Sequence, residues 1–437
     1  MFLERKEEEK ANRGNVLVGY DLGDHYAQIS YCIQGQGEVE TLAPVAGTRQ
    51  YNIPLMLCKR KGTSQWLFGK EAVKCREEED MFPVEDLLHL ARKGEEIELD
   101  GGIYDPVALL TLFVRRSLGL MSIIATLENI GAFMFTVYKT DDRMVEILLQ
   151  VAANLNLKTD QIYFQSHTES LYFFMLHQPA ELWAYHVAVC EHDGRYLKLY
   201  RMECNKRTTP IVTLIEEQLY ETLVIPREEE EEAVKQDAFR LADERFLGIL
   251  EKLCEGRIVS SAYLLGDGFR EEWHKNSLQF LCRNRRVFQG NNLFSCGAVY
   301  SLLEKREPSE AGKTHIFLGE DKLKANIGMR VKRQGKESYY ALLDAGESWY
   351  ELHKTCDIFL GAEKSLSFVV TPLTGKNAET RKILLAGAEK TDAPFARYEL
   401  EVSMTSADTV QIKVTDLGLG EFFPSNGQVW EESFQIS

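Results

Sequence analysis

Three apolar segments in the first 270 residues each end in a turn made of aspartate and glycine. The first runs from Val16 into Asp21-Leu22-Gly23 and then alternates again through residues 26–31. The other two segments, 184–191 and 258–265, lead into His192-Asp193-Gly194 and Gly266-Asp267-Gly268. Aspartate and glycine are common turn residues, so each turn alone predicts only a hairpin or a loop. The presence of three such turns after buried strands predicts a fold whose functional residues lie at the ends of strands.

The order of the apolar patterns predicts an α/β fold followed by a β domain. Between residues 103 and 303, helical spacing alternates with short strand-like runs, which is typical of α/β domains. Beyond residue 314 the period changes to two, as in residues 397–404 and 410–414, and this predicts an antiparallel β domain. We therefore expect a disordered arm at 1–14, an α/β domain at 15–303, a polar linker at 304–313 and a β domain at 314–437.

The charge of the chain argues against two classes of partner. Its formal net charge is −16, so it lacks the basic surface that nucleic acids and anionic membranes attract. The number of cysteines is nine, which is odd, and no pair has C-x-x-C spacing, so we expect reduced thiols rather than disulfides or a zinc site. The N-terminus is charged and lacks the apolar segment of a signal peptide, so we expect none. The sequence also contains no run of 18 apolar residues, so we expect no membrane-spanning helix. These observations favour a cytoplasmic protein.

The turns could also hold a ligand. Backbone N–H groups in tight turns form anion-binding concavities, and a carboxylate beside them can hold a hydrated Mg²⁺. A glycine after a strand lets a nucleotide approach the backbone closely. On this interpretation Asp21 and Asp193 are candidate metal ligands; the alternative is that both are ordinary turn residues. The run of glutamates at 228–232 is interpreted as a solvated first turn of a helix.

Several segments, taken in order, resemble the superfamily of actin, sugar kinases and heat-shock-70 chaperones. "GYDLGDHYAQIS" is similar to its first phosphate loop, "VAVCEHDGRYLKLYRM" to its second, and "AYLLGDGFREEW" to its adenosine loop. "IYFQSHTESLYFFML" and "LFSCGAVYSL" resemble the two connecting helices, and "RYELEVSMTSADTVQIKVTDLG" resembles the peptide-binding β-sandwich of the chaperones.

The resemblance implies a two-lobed, actin-like (ribonuclease-H-like) ATPase domain followed by a β-sandwich. It implies ATP or ADP with Mg²⁺ as ligand and a polypeptide partner for the β domain. The residues implied to bind nucleotide are Asp21, Gly23, Asp24, His25, Asp193, Gly194, Gly266, Asp267, Gly268 and Arg270, with Asp21 and Asp193 as metal ligands.

The departures from the family pattern predict weak catalysis or none. Cys190 and His192 stand where the second loop usually has aspartate and glycine, and Asp24 and His25 replace small hydroxyl residues. The acid of the first connecting helix is replaced by His167 or supplied by Glu169, and no lysine matches the catalytic one. Phosphoryl transfer depends on positioned charge, so these losses predict a nucleotide-binding switch or a pseudo-ATPase. Two alternatives stay open: a scaffold that binds no nucleotide, and an active ATPase or kinase helped by Lys59, Lys70 or Arg270.

Overall fold

A computed structural model describes residues 16–436 except 36, 46, 125–128, 158–161, 222, 224, 226–231, 334, 362–363, 374–376, 387–395, 422–423 and 426. The predicted arm at 1–14 and most of the glutamate run lie outside the described residues. The chain divides into two units, Met1–His315 and Ile316–Ser437. The fold is a mixture of helices and strands, which confirms the α/β prediction in this general sense.

The strands of the first unit are β1 (Val16–Leu22), β2 (Tyr26–Ile33), β3 (Val39–Thr41), β4 (Ile53–Pro54), β5 (Leu57–Arg60), β6 (Trp66–Phe68), β7 (Met81–Val84), β8 (Ile97–Leu99), β9 (Gly102–Tyr104), β10 (Ile130–Val137), β11 (Ile162–Ser166), β12 (His186–His192), β13 (Leu197–Asn205), β14 (Ile211–Tyr220), β15 (Val259–Leu265) and β16 (Arg286–Gly290). Its helices are α1 (Gly69–Cys75), α2 (Leu87–Lys93), α3 (Pro106–Gly119), α4 (Asp142–Asn154), α5 (His167–Leu176), α6 (Glu232–Cys254), α7 (Lys275–Leu281), α8 (Leu293–Arg306) and α9 (Glu310–Thr314). Strand β17 (His315–Phe317) crosses the division between the units.

Two sheets of the first unit repeat one strand order. The first sheet is ordered β3-β2-β1-β10-β11, and the second contains β14-β13-β12-β15-β16. In each sheet the first three strands are antiparallel, and the last two are parallel to the central strand. The first unit therefore contains two sheets of the same topology, one in each half of the unit.

Local signals in the sequence explain where the helices start. Asp105 caps α3 by accepting hydrogen bonds from the N–H groups of Val107 and Ala108, and Pro106 occupies the first helical position. Asp141 caps α4 in the same way, with its carboxylate on the N–H of Met144 at 2.9 Å. Asp105-Pro106 is a helix-start signal that the sequence alone displays, and α3 begins there.

Helices α5 and α8, one after each half, cross in close contact. A Cβ atom added to Gly297 of α8 would lie 2.0 Å from the carbonyl oxygen of Ser170 in α5. A Cβ atom added to Gly19 of β1 would lie 2.4 Å from the carbonyl oxygen of Ser295. Only glycine lets the backbones approach this closely, so these two glycines set how α8 sits on α5 and on the first sheet.

The predicted linker at 304–313 is mostly helical. Glu304 lies in α8, is buried, and accepts a hydrogen bond from the N–H of Ser309 at 2.9 Å. Ser309 in turn caps α9 through the N–H of Gly312. Because side-chain caps satisfy the backbone of this segment, its polar composition reflects helix ends rather than an extended connection.

The second unit consists of antiparallel strands. After β17 it contains β18 (Ala325–Arg333), β19 (Lys336–Leu343), β20 (His353–Leu360), β21 (Ser365–Pro372), β22 (Glu379–Leu384), β23 (Ala396–Ser406), β24 (Thr409–Gly418) and β25 (Val429–Gln435). One sheet is ordered β19-β18-β21-β22 and the other β20-β23-β24-β25. Both sheets contribute to one apolar core, which contains Ile327 and Phe368 from the first and Leu400 and Ile412 from the second. The alternation predicted for residues 397–404 and 410–414 is confirmed, since their apolar members are buried.

Candidate functional site

The three predicted turns line one cavity of about 360 Å³ in the first unit. They follow β1, β12 and β15, and the first two occupy equivalent places in the two sheets of like strand order. The predicted residues in its wall are Gly23, Asp24, His25, Asp193, Gly266 and Asp267. Asp21, Gly194, Gly268 and Arg270 lie beside this wall without forming it. Sequence reasoning thus predicted residues that the fold brings together.

The carboxylate of Asp21 forms a hydrogen bond with the side chain of a histidine. It is 1 % exposed near the end of β1, and its Oδ1 lies 2.8 Å from Nε2 of His167. An ionised carboxylate can only accept, so Nε2 carries the proton of this hydrogen bond. The ring of His167 stacks on Phe294 with a centroid distance of 4.1 Å, which fixes its orientation. Of the two register choices, His167 is therefore the one that contacts Asp21, while Glu169 is buried in the first turn of α5.

The second turn uses its own side chains to satisfy its backbone. Oδ1 of Asp193 accepts the N–H of Arg195 at 2.8 Å and the N–H of Tyr196 at 2.7 Å. Nδ1 of His192 accepts the N–H of Gly194 at 3.0 Å. Backbone N–H groups of a tight turn are the donors that a bound anion generally uses. In this turn, a carboxylate and an imidazole of the chain itself already hold them.

His192 also fills the space beside the third turn. Its ring is buried, and Nε2 donates to the carbonyl of Leu223 at 2.8 Å. A Cβ atom added to Gly268 would lie 1.8 Å from Nδ1 of His192, and one added to Gly266 would lie 2.3 Å from its carbonyl oxygen. The two glycines therefore make room for His192 and its backbone. Burial lowers the pKa of His192, so the ring is held neutral.

Asp267 is held by partners from both halves of the unit. Arg270 forms an ion pair with its Oδ1 at 2.9 Å, and Nδ2 of Asn52 donates to the same oxygen at 3.2 Å. Asn52 also accepts a hydrogen bond from Gln28 at 2.6 Å and is 8 % exposed. Sequence reasoning missed Asn52, since an asparagine before a short strand carries no distinctive signal.

Other wall residues were missed although one rule could have found them. Tyr138 and Lys139 follow β10, and Glu191 is the penultimate residue of β12. Ligand sites of sheets with parallel strands commonly lie at such strand ends. Tyr138 donates a hydrogen bond to Glu217, and the ammonium of Lys198 lies 4.0 Å from the centroid of the Tyr138 ring.

The candidate metal ligands of the cavity already have partners within the chain. Among the described residues, no group of three or more histidine, cysteine, aspartate and glutamate side chains is arranged to hold a metal ion. The two candidate ligands are engaged, Asp21 by His167 and Asp193 by backbone N–H groups.

The three basic residues considered as replacements for a catalytic lysine do not form the cavity wall. Lys59 pairs with Asp100, Lys70 donates to Gln50 at 2.9 Å, and Arg270 pairs with Asp267. Each positive charge therefore has a structural partner of its own.

Comparisons with known proteins identify two regions of the chain. Residues 38–320 match the model of a family of unknown function, DUF5716, in its C-terminal part, and residues 322–436 match a domain of unknown function, DUF8552. No curated protein matches the chain. In the part of the chain that the structure describes, none of the helices has the length and apolar character needed to cross a bilayer.

Proposed function

Since the chain belongs to the DUF5716 C-terminal family, we propose its function from the site alone: a divergent actin-like, heat-shock-70-like pseudo-ATPase. It keeps a nucleotide-type cavity, performs no phosphoryl transfer, and acts as an interaction protein. The proposal retains the cytoplasmic location expected from the sequence, with which nine free cysteines are compatible.

The repeated strand order supports the actin-like part of the proposal. Both halves have the order 3-2-1-4-5, counted along each half, and the turn between strands 1 and 2 of each half faces the cavity. Helices α5 and α8 follow the two halves and cross at Gly297. A two-lobed domain with one cavity between its halves accounts for all three features.

The observation that carries the pseudo-ATPase proposal is the occupied second turn. Catalysis of phosphoryl transfer is almost entirely positioning and charge stabilisation, for which free N–H donors and a held metal are required. Here Asp193 and His192 take the donors, and His167 takes the carboxylate of Asp21. The wall also presents Asp24 and Glu191, whose negative charges would repel a triphosphate.

The polypeptide partner expected for the β domain stays part of the proposal. Strand β19 is at the edge of its sheet, and it exposes Tyr339 by 51 % and Tyr340 by 39 %. An edge strand with exposed aromatic side chains can accept an added strand from another chain. An exposed edge strand in a protein that does not hydrolyse ATP favours a role in binding another protein over a catalytic role.

A steady-state phosphate-release assay tests the proposal. With magnesium ATP at millimolar concentration, we expect release no faster than from a protein-free blank. Loss of one positioned charge-stabilising donor costs about two to three powers of ten in rate, and this site lacks several. Asp21→Ala is the control that assigns any turnover to this cavity. Clear turnover in the parent that disappears in Asp21→Ala would show that the protein is an active ATPase.

A further inference from the structure

We propose that the cavity binds a small organic cation that carries N–H donors, such as an alkylammonium or a polyamine. This inference rests on the proposed function, because it requires that the cavity is not used for a magnesium nucleotide. Four features of the wall carry it: its carboxylates, the engagement of its basic groups, an orphaned ring nitrogen and its aromatic faces.

Carboxylates outnumber basic side chains in the cavity wall. Five of them line it, against three basic residues; the acids are Asp24, Asp141, Glu191, Asp193 and Asp267. In the described part of the chain, no residue forms an ion pair with Asp24 or Glu191, and Glu191 accepts a hydrogen bond from the hydroxyl of Tyr200 at 3.1 Å. Burial, followed by the charges of Glu191 and its acidic neighbours, raises the pKa of Tyr26 well above its usual value. The phenol between these acids therefore stays protonated.

Two of the three basic groups in the wall already face partners of their own. Arg92 pairs with Asp141, which caps α4. The ammonium of Lys198 lies over the face of the Tyr138 ring. In the described part of the chain, the carboxylates of Asp24 and Glu191 form no ion pair with these basic groups, so a cationic ligand can pair with them.

His167 supplies a buried acceptor at the same cavity. The residue is 3 % exposed and lies in the cavity wall, and none of the described residues forms a hydrogen bond with its Nδ1. The hydrogen bond from Nε2 to Asp21 selects the imidazole tautomer in which Nδ1 is the acceptor nitrogen. A buried polar atom without a partner is costly, so the complementary ligand is a donor. Ammonium and guanidinium groups are donors only, whereas phosphate oxygens are acceptors.

Aromatic faces complete the match to a cation. Tyr26, Tyr138 and Tyr196 line the cavity, and cations are attracted to the faces of such rings. Lys198 on Tyr138 shows that an ammonium already sits on one of these rings. A volume of about 360 Å³ lies within the range of small-molecule sites.

Calorimetric titration of the full chain with spermidine tests the inference. At about 0.15 M ionic strength, where exposed charges more than roughly 8 Å apart are screened, we expect saturable binding of one spermidine per chain. The diol 1,8-octanediol, which has no charge, should give no binding. Hydrogen bonds to charged groups are strong, so Asp24→Asn combined with Glu191→Gln should weaken binding about tenfold or more.

The controls separate this site from general attraction to an acidic protein. Glu98→Gln removes an exposed carboxylate of β8 outside the wall and should leave the affinity unchanged. Asp24→Asn alone, in an exposed turn, serves if the double variant fails to fold. The inference is overturned if spermidine does not saturate, if the wall variants bind as the parent does, or if MgCl₂ alone displaces spermidine. Phosphate release by the same preparation decides the proposed function separately, so a failure of spermidine binding without ATP turnover removes only the cation inference.

Discussion

Replacing Gly297 by alanine is expected to destabilise the first unit by about 1–3 kcal/mol, the usual cost of forcing an extra carbon into a packed interior. The new Cβ would lie 2.0 Å from the carbonyl oxygen of Ser170, which is backbone and cannot rotate away. The helices α5 and α8 would have to separate. This separation would also disturb His167 and Phe294, which start the two helices and stack on each other.

Gly248→Ala is the matched control for this prediction. Gly248 also lies inside a helix, α6, but nothing comes within 4 Å of its added Cβ. Alanine is favoured over glycine in a helix interior by about 0.5–1 kcal/mol, so this variant should be slightly more stable than the parent. Equilibrium denaturation of both variants measures the difference. If Gly297→Ala were as stable as the parent, helices α5 and α8 would not be packed closely enough at Gly297 for an added carbon to clash.

Acidification below about pH 6.5 should reduce the free energy of unfolding. Burial lowers the pKa of four histidines below their usual 6.5, with nearby carboxylates only partly opposing it: His177, His186, His192 and His274. In this window the unfolded chain binds more protons than the folded one. The stabilisation is thus complete above pH 6.5 and is lost as the pH falls through the folded-state values. Each proton taken up on unfolding contributes a slope of about 1.4 kcal/mol per pH unit.

Urea denaturation across this range measures the slope. His192→Gln retains an acceptor and a donor for Gly194 and Leu223 but cannot titrate, so it should show a shallower dependence than the parent. A free energy of unfolding that stays constant from about pH 7.5 to about pH 5.5 would contradict the neutral, buried state of these rings.

The alternation of elements was predictable because it depends on local periodicity. The apolar spacing around Leu109 and Phe113, with the Asp105-Pro106 start, predicts α3, and the period-two pattern at 397–404 predicts β23. The convergence of the turns was an expectation of the family resemblance, because local periodicity places each turn after a buried strand but does not say which strands are neighbours. The helical structure of segment 304–313 was harder to predict, because the polar residues that cap helix ends are also typical of linkers.

The state of the site depends on contacts between residues far apart in the chain. The sequence marks His192 as unusual for its position, but its buried hydrogen bonds require the folded positions of Leu223 and Gly268. Asp193 could equally have faced a metal or its own turn, and only the geometry of the Arg195 and Tyr196 N–H groups decides this. The pairing of Asp21 with His167 joins residues 146 positions apart, beyond the reach of any local pattern.

Calorimetric titration with magnesium ADP tests the central claim most directly, namely that the chain's own side chains occupy the phosphate-binding positions of the cavity. Because Asp193 and His192 hold the N–H groups of the second turn and His167 holds Asp21, a nucleotide would have to displace buried hydrogen bonds before making its own. We expect no saturable heat at millimolar ADP. Binding of one ADP per chain with a dissociation constant on the order of micromolar would contradict the account and restore a nucleotide switch.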